Sequence, residues 1–114
     1  MATIEQRRYQ RYAMPFAVEL SAGGLIQTCE GQDLGAGGCR AVVLFPLQRE
    51  QVVRVRLRSE RTVQEPAGQA TVAWSTREPP YRVGLRFSDP LAEQAVRFIH
   101  AILGPVRLTT PKPG

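Results

Sequence analysis

Val53-Arg54-Val55-Arg56-Leu57-Arg58 alternates strictly between apolar and cationic side chains. Successive side chains of a β-strand point to opposite faces, so this period of two sets Val53, Val55 and Leu57 against three guanidinium groups. The segment predicts a strand with one face in a core and the other in solvent. Working outward, Phe16-Ala17-Val18-Glu19-Leu20 alternates in the same way, Ala22-Gly23-Gly24 makes a turn, and Leu25 to Gln32 offers a second, more polar strand. Asp33-Leu34-Gly35-Ala36-Gly37-Gly38 reverses the chain into Cys39 to Leu44, which stops near Pro46. On the other side, Thr62-Val63 and Gly68 to Ser75 continue the pattern, with Ala70, Val72 and Trp74 assigned to one face and Trp74 to the core. Tyr81 to Phe87 sets Val83, Leu85 and Phe87 opposite Arg82, Gly84 and Arg86. Some six short strands separated by turn signals indicate an antiparallel barrel or sandwich.

After Phe87 the period changes. Asp89 can cap a helix, Pro90 suits its first turn, and Leu91, Ala95, Phe98, Ile99, Ile102 and Leu103 recur at helical spacing up to Gly104-Pro105. The apolar stripe predicts a single helix packed on the open side or end of the sheet structure. At 114 residues the chain fits one domain. The expected organisation is a flexible Arg-rich arm over residues 1–14, a folded unit over 15–103 and a flexible tail over 104–114.

Composition excludes several classes. With 43% hydrophobic and 22% charged residues the chain reads as an ordinary soluble domain, and no apolar run approaches the roughly 20 residues that span a bilayer. Membrane insertion is not expected, and the polar start Met1 to Gln6 lacks the apolar segment of a secretory signal, so a cytoplasmic location follows. Cys29 and Cys39 read as two reduced structural thiols, because they are offset across the turn and a cytosolic setting keeps thiols reduced. No Cys or His spacing resembles a metal site. His100, the only histidine, falls on the late helix in a structural role, and no nucleophile and base are paired in the sequence, so an enzyme is not expected.

The net charge is +5, carried almost wholly by Arg, with Lys112 the only lysine. The Arg54, Arg56, Arg58 row reads as a solvated strand face. No aromatic platform is interleaved with it, so a nucleic-acid partner is not expected. The Arg7-Arg8-Tyr9-Gln10-Arg11 cluster is different when taken with the turn that starts at Asp33. Arg binds phosphate bidentately and stacks on planar rings, while a carboxylate can accept paired N–H bonds from a guanine edge. Together the two segments suit a ligand carrying both phosphate and guanine.

The order of these motifs resembles a PilZ domain. The resemblance rests on the RxxxR spacing of Arg7 and Arg11, the strand that Pro15 initiates, the Asp-x-x-x-x-Gly turn of Asp33 and Gly38, the Trp74 strand and the Tyr81 to Phe87 strand, and it covers roughly residues 5–103. It implies an all-β fold with one C-terminal helix, a six-stranded antiparallel β-barrel that binds cyclic di-GMP. By position, Arg7 and Arg11 would grip phosphate and stack on guanine, Arg8 would assist, Asp33 would read a guanine edge and Gly38 would form the backbone turn. Gly35 stands where the family usually has Ser, which removes one hydrogen bond worth about 0.5–1.5 kcal/mol. The implied function is a cyclic di-GMP receptor or adaptor whose arm orders over the ligand and presents a new surface to a protein effector. The alternative is a PilZ-like adaptor without useful ligand affinity, which Gly35 favours and the paired arginines oppose.

Overall fold

The computed structural model describes residues 11–104. Six strands, β1 (Ala17–Ala22), β2 (Leu25–Leu34), β3 (Gly38–Val43), β4 (Val52–Arg58), β5 (Ala67–Ser75) and β6 (Tyr81–Phe87), form a closed barrel in the order β1-β2-β3-β6-β5-β4. All pairings are antiparallel. A barrel rather than a sandwich results because β1 pairs with β4 as well as with β2, leaving no strand edge open to solvent.

The predicted alternation fills the interior. Val18 and Leu20 from β1, Val53, Val55 and Leu57 from β4, and Val83, Leu85 and Phe87 from β6 all lie in one buried cluster. The opposite faces carry charge. Glu19 of β1 and Glu65 lie within 3.3 to 3.9 Å of the guanidinium groups of Arg56 and Arg58. That part of the arginine row is therefore a solvated face neutralised by neighbouring carboxylates, with little contribution from each exposed pair.

One helix, α1 (Asp89–Leu103), follows β6, and its residues Leu91, Ala95, Phe98 and Ile99 are buried in the barrel's core cluster. The cap is Ser88 rather than Asp89. Ser88 stays extended because its N–H is still bonded to the Gln69 carbonyl on β5, while its own carbonyl accepts the Ala92 N–H. Asp89 instead sits in the first turn, where its charge favours the positive end of the helix dipole.

Of the expected arm, residues 11–14 fall within the described region, and they are joined to the barrel. Tyr12 and Leu34 exchange two backbone hydrogen bonds, of 2.8 and 3.0 Å, and Met14 is buried. Of the expected tail, only Gly104 is described.

Cys29 and Cys39 are free thiols inside the barrel. Burial pushes the Cys29 thiol up to about 11 and the Cys39 thiol up to about 12, from an ordinary value of 9.0. The folded chain thus holds both protons at pH values where the unfolded chain releases them, and stability present below pH 9 is lost as pH rises toward 11–12. A melting series across this window should show a progressive fall in Tm, and Cys39→Ala should make that fall shallower. An equal slope in parent and variant would mean the thiols do not drive it.

Candidate functional site

Two bulges decide which side chains reach the outer face of the barrel. In β2 the inward residues Gln27, Cys29 and Gly31 are followed by a register shift between Gly31 and Asp33. The extra residue reverses the phase, so Leu34 turns into the core opposite Cys39, and Asp33 turns outward opposite Arg40. In β5 the same event occurs between Val72 and Trp74. Val72 is fully buried against the Leu85 position, whereas Trp74 lies opposite Gly84 and is 40% exposed. The alternation that assigned Trp74 to the core with Ala70 and Val72 fails at this bulge.

The consequence is a row across four strands. Asp33 pairs with Arg40, Arg40 with Gly84, and Gly84 with Trp74. Gly84 faces outward yet is buried, because the Trp74 indole lies over it; a Cβ there would sit 2.2 Å from Trp74 Nε1 and 2.5 Å from Cε2. Glycine is what allows the ring to rest on the sheet.

Arg11 joins the row from the other side, carried there by the Tyr12–Leu34 backbone pair. Its Nη1 donates to Asp33 Oδ1 at 3.1 Å, and Arg40 Nε donates to Asp33 Oδ2 at 2.5 Å. Arg40 Nη2 also pairs with that second oxygen. The Asp33 side chain is only 7% exposed, while Arg11 and Arg40 are about half exposed, at 50% and 52%. One buried carboxylate thus holds two half-solvated guanidinium groups. Arg11, Ala13, Asp33, Arg40 and Trp74 line a pocket of about 490 Å³.

Among the sequence-predicted residues, Arg11 and Asp33 are brought together across 22 positions of chain. Arg7 and Arg8 lie outside the described residues. Asp33 belongs to the end of β2 rather than to the turn, which spans only 35–37. Gly35 is buried in that turn and donates its N–H to the Gly38 carbonyl at 2.9 Å. Gly38 opens β3, where its backbone runs so close to β6 that a Cβ would lie 2.0 Å from the Leu85 carbonyl oxygen. Its role is close strand approach. Arg40 and Trp74 are the residues that sequence reasoning missed. For Arg40 the signal was its place between inward Cys39 and Ala41, on the strand that follows the turn; for Trp74 no pattern announces the bulge.

A larger cavity of about 630 Å³ is lined by Pro15, Phe16, Arg58, Ser59, Glu60 and Glu65 among others. Its Arg58 is paired with Glu19 and Glu65, and Ser59 Oγ donates to the Pro15 carbonyl, so these polar groups are engaged within the protein. Among the described residues no group of His, Cys, Asp and Glu side chains is placed to hold a metal ion, and no helix is long and apolar enough to cross a membrane.

The PilZ domain model matches residues 5–104, and the chain belongs to the PilZ domain family. No curated protein sequence matches it. Solved structures that share the fold include the following three. The Bacillus subtilis inhibitor of motility, MotI/DgrA, superposes with a TM-score of 0.69 at 16% identity, covering 86% of this chain, which spans about half (49%) of that protein's length. The PilZ domain of YcgR from Escherichia coli, solved with cyclic di-GMP, gives 0.65 at 16% identity, over 86% of this chain and 92% of that one. The PilZ domain of CeSA from a cellulose-synthesizing bacterium gives 0.59 at 20% identity, over 83% and 96%.

Gly84→Ala should displace the indole, because the added methyl occupies the ring's own position. Trp74 is the only tryptophan, so its emission reports this one ring. The expected outcome is a changed emission maximum and altered quenching by iodide in a barrel that still melts cooperatively. Unchanged emission and quenching would show that the ring does not rest on Gly84.

Proposed function

We propose that this PilZ domain is a receptor for cyclic di-GMP, which it takes up at the pocket bordered by Arg11, Asp33 and Trp74. The observation that carries the reading is the meeting of Arg11 and Asp33, drawn from two separate motifs, in one ion pair beside an exposed indole. Phosphate and guanine make different demands, and the pocket offers a group for each. Guanidinium supplies charge-assisted, forked donors for phosphate. A carboxylate accepts the adjacent N–H groups of a guanine edge, and an exposed indole offers a face for a purine. The cyclic di-GMP carried by the YcgR PilZ domain supports the choice of ligand.

In this proposal Arg7 and Arg8 complete the phosphate contacts. The segment before Arg11 folds over the occupied pocket, and the changed surface is read by a protein effector in the cytoplasm. The protein acts by binding, with no turnover of the ligand. Gly38 holds the strand end that carries the turn, and Gly35 leaves out one hydroxyl contact. That missing contact favours a second reading, an adaptor that works through protein contacts with no useful ligand affinity. Calorimetry with cyclic di-GMP, GTP and a random oligonucleotide separates the readings: heat with cyclic di-GMP alone supports the receptor, and silence with all three favours the adaptor.

Arg11→Ala should weaken cyclic di-GMP binding by about 1.5–3 kcal/mol, roughly ten- to 150-fold, with incomplete rescue by Lys. Asp33→Ala should lower the preference for cyclic di-GMP over cyclic di-AMP. If Arg11→Ala binds as the parent does and the preference ratio is unaltered in Asp33→Ala, neither residue meets the ligand.

Gly35→Ser tests the missing hydroxyl. Among the described residues the glycines with positive φ are Gly23, Gly24 and Gly104, so the backbone at Gly35 does not itself demand glycine. Because Gly35 is buried, Tm is measured on the same variant, and where it is unchanged binding should tighten by about 0.5–1.5 kcal/mol. Unchanged binding at unchanged Tm would remove the turn from the ligand contact.

A further inference from the structure

We infer that Arg40 is a further ligand-binding residue of this site, and that Asp33 holds Arg11 and Arg40 in reserve, releasing them to anionic groups when it captures a base. The inference rests on the cyclic di-GMP reading for the identity of the base, but its core, a carboxylate that masks a two-guanidinium anion site, rests on geometry alone. Asp33 and Arg40 are register partners on β2 and β3, and Arg11 approaches the other carboxylate oxygen at 3.1 Å. Each oxygen thus faces one cation, and the side chain beneath them is 7% exposed. A carboxylate has lone pairs for more than two donors, but at 7% exposure little of the Asp33 side chain is open to a further one.

A purine edge that pairs with Asp33 must therefore move at least one arginine aside. The displaced group does not need to travel far. Arg11 and Arg40 are about half exposed and line the same pocket. A guanidinium that leaves a carboxylate keeps its full charge and its fork of donors, and phosphate oxygens offer it the same bidentate geometry. The exchange replaces an ion pair within the protein by one with the ligand, so neither charge is left unpaired in a partly buried place. It also makes base capture and phosphate capture interdependent: an anion without a base meets arginines still held by Asp33. Arg40 differs in this from Arg56, Arg58 and Arg86, which pair with exposed or half-buried carboxylates on the barrel's flank.

The test uses inorganic pyrophosphate, which carries the anion and no base, alongside cyclic di-GMP, both read by calorimetry and by Trp74 emission. The parent should bind pyrophosphate weakly. Asp33→Ala should bind it about tenfold more tightly, because both guanidinium groups are unmasked, and Asp33→Ala/Arg40→Ala should lose that gain. Arg40→Ala alone should weaken cyclic di-GMP about tenfold or more, with only partial recovery in Arg40→Lys, while Arg82→Ala on the neighbouring strand leaves it unchanged. No gain in pyrophosphate affinity on removing Asp33, or a gain that survives loss of Arg40, overturns the inference. If the parent binds no cyclic di-GMP yet the pyrophosphate pattern holds, the receptor reading fails and the masked anion site stands. Should Asp33→Ala not fold, Asp33→Asn, which removes the charge at nearly equal volume, gives the same readout; failure of both to fold makes Asp33 a structural pin and overturns the inference.

Discussion

A closed barrel gives every strand residue two choices, the packed interior or the outer face, and the whole site depends on where that choice is reversed. In β2 and in β5 one extra residue breaks the alternation, and from there the next side chain emerges on the opposite side. Without these bulges Asp33 and Trp74 would enter a core of aliphatic side chains, where an unpaired carboxylate is strongly unfavourable. With them, both emerge on the same outer row, joined through Arg40 and Gly84. The row is possible only because the barrel order places β6 between β3 and β5, so residues more than 40 positions apart in sequence become lateral neighbours.

Charge on this barrel is sorted rather than merely abundant. Arg56 and Arg58 share Glu19 and Glu65 at the rim of the β1–β4 face, where water and facing carboxylates dilute their field. At the row, by contrast, two guanidinium groups share a single carboxylate that is nearly out of reach of solvent. The local balance is one net positive charge beside an exposed indole, in a concave setting.

Anchoring of the chain ahead of β1 has a mechanical meaning for this site. Residues 11–14 belong to the barrel through the Tyr12–Leu34 backbone pair and the burial of Met14. The backbone at Arg11 is therefore tethered to the barrel through its neighbour Tyr12, while its half-exposed side chain reaches Asp33. Gly38 serves the same rigidity from below, since β3 meets β6 at a distance that only a residue without a side chain tolerates.

The sequence by itself determined the strands, the helix and the sense of most faces, because period-two and period-3.6 burial are local patterns that each segment carries in its own residues. Val53, Val55 and Leu57 point inward, and Phe98 and Ile99 face the barrel, as their spacing requires. The motif resemblance singled out Arg11 and Asp33, which the fold brings into contact. What only the tertiary structure decided is the neighbourhood of that pair: the outward turn of Trp74, the partnership of Arg40 with Asp33, and the cap at Ser88. A bulge adds a residue without leaving a mark in composition, and cross-strand register is set by the closure of all six strands together. Which side chains meet on the outer face is therefore a property of the barrel, not of any one segment.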